Sequence, residues 1–180
     1  MIPWDDHKYF CPIQSIMIRT GPQMPDLLVK LYGLPEVRPN LKDSVRGGVN
    51  FRRAMAYEKH QIVNWVGEHF GNGWASECDV AFSNHPISCH IATENSAILG
   101  FACYDSTSRG IFGPVGVVDS MRERGIGRGL LLSGLRSMAS AGYAYAVIGG
   151  AGSVDFYQKV VNVIEIPDPV PGIYVDRLTE

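Results

Sequence analysis

The segment MRERGIGRGLLL (residues 121–132) decides how this chain is interpreted. It places three glycines and three arginines directly before a run of leucines, although glycine is the costliest ordinary residue inside a helix. The preceding VGVVDS (residues 115–120) resembles a strand, so the order is strand, glycine-rich loop and helix start. The first amides of a helix lack intrahelical partners and lie at the positive end of its dipole, where anions bind. The segment therefore predicts a phosphate-binding loop.

The spacing of the glycines disfavours two common phosphate ligands. A P-loop needs G-x-x-x-x-G-K-[ST], and neither the lysine nor the Ser/Thr follows here. A dinucleotide fingerprint needs G-x-G-x-x-G, whereas GIGRGL (residues 125–130) gives G-x-G-x-G without an acidic residue about 20 positions later. From the residues alone, a nucleotide-binding module and a glycine-rich loop with solvated arginines both stay open.

Composition describes an ordinary folded domain. The 180 residues are 46% hydrophobic and 19% charged, with a net charge of −2, which argues against binding nucleic acid through bulk charge. No apolar run reaches the roughly 18 residues of a membrane span, and the N-terminus lacks a secretory h-region, so we predict a cytoplasmic protein. The four cysteines have no CxxC pairing, which predicts free buried thiols and no metal. A zinc site built from His85, Cys89 and His90 fits no structural zinc spacing.

The order of predicted elements is that of a mixed α/β domain. Residues 1–45 are predicted to be an N-terminal extension, with a strand at 13–20 and a short helix at 24–39, packed on the main domain or a second subunit. Residues 46–180 are predicted to form the main domain. Its strands are predicted at 49–55, 88–95, 97–106, 111–120, 143–150, 163–169 and 172–178, and its helices at 56–70, 74–83, 127–141 and 153–160.

Residues 122–127, RERGIG, match the pattern [Q/R]-x-x-G-x-[G/A] position by position, and in this respect the chain resembles the GNAT acyltransferases. The resemblance extends over about residues 45–178 and includes the element order and DFYQKV (residues 155–160). It implies an α/β (α+β) GNAT fold, a mixed central sheet with helices on both faces, splayed between the fourth and fifth strands. It also implies that the loop amides hold the pyrophosphate of coenzyme A. One departure is Glu123, where glycine is common.

The strand before the loop carries a second indication. Gly113, Pro114 and Gly116 are poor choices for a fully paired strand, so the residues alone predict an edge or a bulge. The resemblance implies that this strand pairs with the pantetheine arm of the cofactor, and that the amide of Val117 polarises the thioester carbonyl. The cofactor contacts implied by the resemblance are Val115, Val117, Arg122, Arg124, Gly125, Ile126, Gly127, Arg128, Gly129 and Ser153.

The resemblance implies that Tyr157 is the general acid that protonates the leaving thiolate. The alternative is a core tyrosine packed beside Phe156, and Ser153 serves equally well as a plain N-cap. The general base is less defined. Glu77 and Asp105 are the carboxylate candidates, His85 and His90 are alternatives, and Cys103, which has no partnered histidine at a readable spacing, is predicted to be a core residue.

The resemblance thus implies an N-acetyltransferase that moves an acetyl group from acetyl-CoA to an amine by direct attack in a ternary complex. The alternative is a non-catalytic acyl-CoA-binding module of the same fold. The expected acceptor is a small-molecule amine or a peptide amine, without nucleic-acid or membrane partners, and a homodimer is left open. Trp65, Phe70 and Trp74 lie on the helices that form the acceptor side in this family, as core residues or as pocket lining.

Overall fold

The computed structural model describes residues 24–35, 48–168, 173 and 178. In these ranges the chain forms one seven-stranded sheet and four α-helices. The strands are β1 (Leu27–Lys30), β2 (Asn50–Arg53), β3 (Cys89–Glu94), β4 (Ala97–Tyr104), β5 (Ile111–Val117), β6 (Tyr145–Ile148) and β7 (Val163–Glu165). The helices are α1 (Lys59–Phe70), α2 (Asn72–Ala81), α3 (Ile126–Ser140) and α4 (Val154–Val160), with 3-10 turns at Leu31–Gly33, Ala56–Glu58 and Asp119–Met121.

The strands lie in the order β2-β3-β4-β5-β6-β1-β7. All neighbours are antiparallel except β5 and β6, which are parallel. The parallel pairing of β5 with β6 covers two residue pairs, Ile111 with Val147 and Phe112 with Ile148. It does not continue along the rest of β5. Counted from residue 46, β5 and β6 are the fourth and fifth strands, so the predicted splay and mixed sheet are confirmed.

Side chains of β4 show that helices cover both faces of the sheet. Phe101 and Cys103 pack with α1 and α2, whereas the alternate residue Ala102 packs in the second cluster with α3 and α4. Each helix contributes apolar residues at helical spacing, such as Ile62 and Val66 in α1. No helix in the described ranges is long and apolar enough to span a bilayer.

The N-terminal part of the described chain differs from the prediction. We predicted a short helix over residues 24–39, but β1 occupies Leu27–Lys30 between β6 and β7. Leu27 and Val29 are buried while Lys30 is exposed, which is the period of a strand. Pairing on both sides satisfies the backbone of β1, and this non-local gain outweighs the local helix preference. The division at residue 45 stays a prediction, as do the strands at 13–20 and 172–178, which lie wholly or mostly outside the described residues.

Candidate functional site

The N-terminus of α3 follows β5 after a loop of eight residues, 118–125, and presents unpaired backbone amides. Gly125 caps the helix with φ 80° and ψ 3°, a left-handed conformation that favours glycine. The first hydrogen bond of the helix runs from the Gly129 amide to the Gly125 carbonyl, at 3.1 Å. The amides of Ile126, Gly127 and Arg128 therefore have no intrahelical partner, and they lie at the positive end of a 15-residue helix. This is the geometry of an anion site.

Backbone groups on one edge of β5 are also unpaired and lie near the start of α3. The Val118 amide donates to the Leu99 carbonyl, so in the antiparallel ladder with β4 the next pair, Gly100 with Val117, is not hydrogen-bonded. The same alternation turns the backbone groups of Val115 away from β4. A register shift between Ala102 and Tyr104 determines which residues of β5 turn their backbone groups away from β4. The amides and carbonyls of Val115 and Val117 consequently face the splay between β5 and β6.

Helix α4 closes the third side of the site. A Cβ added at Gly127 would lie 3.4 Å from Phe156 Cζ and 3.8 Å from Val117 Cγ2, so β5, α3 and α4 converge here. Tyr157 packs edge-to-face on Phe156, with ring centroids 5.0 Å apart, and is 8% exposed. Burial raises the pKa of Tyr157, so its phenol stays protonated at neutral pH. Ser153 caps α4, because its Oγ accepts from the Phe156 amide at 3.4 Å.

The three arginines of the loop differ in their surroundings. Arg124 donates from Nη2 to Glu94 Oε1 at 2.7 Å and from Nη1 to Glu94 Oε2 at 3.3 Å. This pairing lowers the pKa of Glu94. Arg122 pairs with the exposed Asp119 at 2.7 Å, and Arg128 is exposed. Glu94 lies 30 residues earlier on β3, so no local pattern could have revealed that a carboxylate faces the loop. Glu123, the departure from the family pattern, is exposed.

Gly129 has a different setting from Gly125 and Gly127. Its amide already donates within the helix, and a Cβ added to it would lie 2.4 Å from both Cε1 and Cζ of Phe51. The residue therefore allows α3 to pack closely on β2, and its amide is not among the unpaired donors.

Neither candidate base lies near Val117. Asp105 Oδ1 accepts from the Gly110 amide at 2.7 Å, and its backbone amide pairs with Ile111 at the far end of β5. Val117 lies six positions after Ile111, which is on the order of 20 Å along a strand. Glu77 accepts from the Thr107 hydroxyl at 2.6 Å, close to the same distant end. The structure does not bring these carboxylates together with the backbone edge and Tyr157.

The histidine alternatives are also not supported as bases. His90 is buried, and its Nε2 lies 2.9 Å from Ser137 Oγ, to which Arg53 Nη2 donates at 3.2 Å. Burial, with Arg53 nearby, lowers the pKa of His90 to about 4. It is a neutral core residue that joins β3 to α3. His85 lies in the turn between α2 and β3. Ser88, three residues later, accepts from the Tyr104 amide at the end of β4 that is far from Val117.

Aromatic side chains cover β5 on the face opposite α3. A Cβ added at Gly116 would lie 2.7 Å from Phe70 Cε1 and Cζ, so this glycine allows the ring to rest on the strand between Val115 and Val117. Phe70 stacks on Trp74 with centroids 5.4 Å apart, and Trp74 is 38% exposed. We call Phe70, Trp74 and the adjoining Trp65 and Phe101 the aromatic wall.

Comparison with known proteins adds the fold context. No protein-family model matches the chain, and no curated protein matches it. Among solved structures, a GCN5-related glucosamine N-acetyltransferase region of a fungal multi-domain GH3 β-N-acetylglucosaminidase is similar, with 16% identity and a TM-score of 0.63. The match covers 78% of this chain and 20% of that one.

Two bacterial structures are similar as well. A GCN5-related N-acetyltransferase from Sphaerobacter thermophilus has 18% identity and a TM-score of 0.58, over 79% of this chain and 50% of that one. A GNAT family acetyltransferase from Brucella melitensis, in complex with acetyl-CoA, has 19% identity and a TM-score of 0.51, over 63% of this chain and 82% of that one. This chain thus spans 20% of the length of the fungal protein and 50% of the length of the Sphaerobacter protein. At these identities the likeness shows architecture: the protein has the fold of the GCN5-related N-acetyltransferases.

Proposed function

We propose that the protein is an N-acetyltransferase that uses acetyl-CoA and acetylates an amine by direct attack within a ternary complex. One observation carries the proposal: the unpaired backbone edge of Val115 and Val117 lies beside the unpaired amides at the start of α3. An extended arm that ends in a pyrophosphate matches both features at once, because it needs strand-like pairing along its length and amide donors at its end.

In this arrangement the pyrophosphate lies on the amides of Ile126, Gly127 and Arg128, and Gly125 supplies the left-handed turn before them. Arg122 and Arg128 supply positive charge at its exposed side. Arg124 contributes chiefly through its backbone, because its guanidinium is paired with Glu94. Gly129 supports the loop by packing on Phe51, and Ser153 fixes the start of α4 beside the arm.

The chemical step needs an oxyanion donor and an acid. The Val117 amide donates to the thioester carbonyl oxygen, which gains negative charge as the amine nitrogen attacks the carbonyl carbon. The carbon–sulfur bond then breaks, and Tyr157 donates its phenolic proton to the leaving thiolate. Because burial raises the pKa of Tyr157, the acid form is fully populated at neutral pH.

No side chain is assigned as base. Glu77 and Asp105 lie at the far end of the sheet, so the amine binds in its neutral form and loses its proton to water after attack. The reaction rate should then rise with pH until the acceptor amine is deprotonated. The acceptor is a small-molecule or peptide amine that approaches along the aromatic wall, where Phe70 and Trp74 border β5. We place this activity in the cytoplasm.

The proposal is tested by measuring thiol release from acetyl-CoA against a panel of amines. We expect acceptor-dependent release by the wild-type protein. The distant carboxylates favour one alternative, a non-catalytic acyl-CoA-binding module, which would bind acetyl-CoA but release no thiol with any amine. Binding of a nucleotide in place of acetyl-CoA would contradict both.

A further inference from the structure

Three cysteines meet in the core outside the acyl-CoA site. Cys78 lies on α2, Cys89 at the start of β3, and Cys103 near the end of β4. Each is 0% exposed, and their sulfur atoms all lie within 4.8 Å of one another. All three are free thiols. The group, which we call the thiol triad, plays no part in the proposed acetyl transfer.

The register of the sheet brings two of these sulfurs together. Cys89 and Cys103 are directly opposite on antiparallel strands. The Tyr104 amide donates to the Ser88 carbonyl, so the neighbouring pair, Cys89 with Cys103, is not hydrogen-bonded. Side chains of such pairs are the closer ones in an antiparallel ladder. Cys78 lies one helical turn after Trp74 and completes the triad from the helix above.

The surroundings of the triad are apolar. The same core cluster contains Ile62, Val66, Ala81, Ile91 and Phe101. Across the described ranges, no histidine, aspartate or glutamate joins the three sulfurs as a further ligand. Because all three sulfurs are 0% exposed and lie among apolar side chains, a charged complex would be costly here. A ligand suited to this site takes three sulfurs, needs no fourth donor and leaves no net charge.

We propose that the thiol triad is a binding site for trivalent arsenic, taken up as arsenous acid. Three thiols condense with As(OH)3: three As–S bonds form, three As–OH bonds break, and each thiol proton leaves with a hydroxide as water. The product, As(SR)3, is neutral, and its lone pair occupies the fourth position. Zn²⁺ with three thiolates would carry a net charge of −1 and would want a fourth ligand, which the triad does not offer.

The distances allow this with small movements. One centre bonded to all three sulfurs would draw them closer together than they lie now. The present separations are all within 4.8 Å, so the closure is on the order of 1 Å, which side-chain rotation supplies. The As–S bond at Cys89 would replace only a weak contact of its thiol, which lies 3.9 Å from the His90 carbonyl oxygen. Uptake should be slow, because α2 must part from the sheet to admit the ligand.

The test uses the full reduced chain with one equivalent of arsenous acid, followed by intact-mass measurement and thiol counting. We expect one arsenic atom per chain, with the loss of three thiol hydrogens and one of the four cysteines, Cys11, not bound to arsenic. The competing outcome is that the same three thiols bind Zn²⁺ more tightly than arsenic. A Zn²⁺ titration provides that comparison. Failure to bind arsenic, or tighter binding of Zn²⁺, would overturn the proposal.

Single variants assign the ligands. Cys78→Ala, Cys89→Ala and Cys103→Ala should each weaken arsenic binding at least about 100-fold, since loss of even a supporting partner costs 10–100-fold at metal sites. Cys11→Ala is the matched control and should bind as the wild type does. Cys78→Val fills the space with a similar volume and keeps the test available if an alanine variant does not fold. Unchanged affinity in a folded triad variant, or lost affinity in Cys11→Ala, would contradict the assignment.

Discussion

Replacing Gly129 with alanine should destabilise the fold, whereas the same change at Gly127 should not. The two glycines lie two residues apart in the first turns of α3 and belong to one sequence motif. A Cβ at Gly129 would lie 2.4 Å from two atoms of the Phe51 ring, far inside contact distance. A Cβ at Gly127 would lie 3.4 Å from Phe156, at the edge of ordinary contact.

The expected magnitude follows from two opposing effects. Overpacking of this kind costs about 1–3 kcal/mol. Alanine in place of glycine inside a helix stabilises the folded state by about 1 kcal/mol. The 2.4 Å approach to the Phe51 ring puts the overpacking cost in the upper part of that range, about 2–3 kcal/mol. The net loss at Gly129 is therefore about 1–2 kcal/mol, which lowers the melting temperature by roughly 2–8 °C in a domain of this size. Gly127→Ala should leave the melting temperature unchanged or raise it slightly.

The assay is thermal unfolding of both variants and the wild type, followed by circular dichroism at one protein concentration. A Gly129→Ala variant that melts at or above the temperature of Gly127→Ala would refute the close packing of α3 on β2. It would also return Gly129 to the set of candidate cofactor contacts.

Two further predictions concern catalysis and pH. Tyr157→Phe should lower the rate of acetyl transfer at least 100-fold, as expected for loss of a general acid, while the Kd for acetyl-CoA changes less than about threefold; an unchanged rate would reject the acid role. His90, with a pKa of about 4 in the fold against a usual 6.5, binds its proton more readily in the unfolded chain, so stability should fall as the pH drops from 7 to 5. The loss is about 2 kcal/mol. His90→Gln should flatten this dependence in denaturant unfolding curves, and an equally steep curve would contradict it.

The local features of the site could be predicted from sequence. The glycines of residues 125–129 and the leucines that follow predict a helix start with free amides, and α3 begins at Ile126. Gly113 and Pro114 predict an irregular strand, and the β4–β5 register shifts there. In both cases the signal lies within a few adjacent residues, because turns and helix starts are local structures.

Features that depend on pairing across the fold were missed. Nothing near Arg124 indicates Glu94, which reaches it from another strand. The helix predicted over residues 24–39 is a strand because β6 and β7 flank it. Similarly, the sequence predicted Asp105 at a strand end but could not show that this end lies far from the start of α3. The thiol triad also depends on strand register, which a list of scattered cysteines does not reveal.

The most direct test of the central claim is calorimetric titration of acetyl-CoA into the wild-type protein and into Gly127→Glu. The claim is that the amides at the start of α3 hold the pyrophosphate. A carboxylate at position 127 would stand among these amides, repel the phosphates and take the place of the anion. We expect stoichiometric binding by the wild type and at least a 100-fold weaker Kd for Gly127→Glu, with Gly127→Ala binding nearly as the wild type does. Equal binding by Gly127→Glu and the wild type, or no binding by either, would contradict the account.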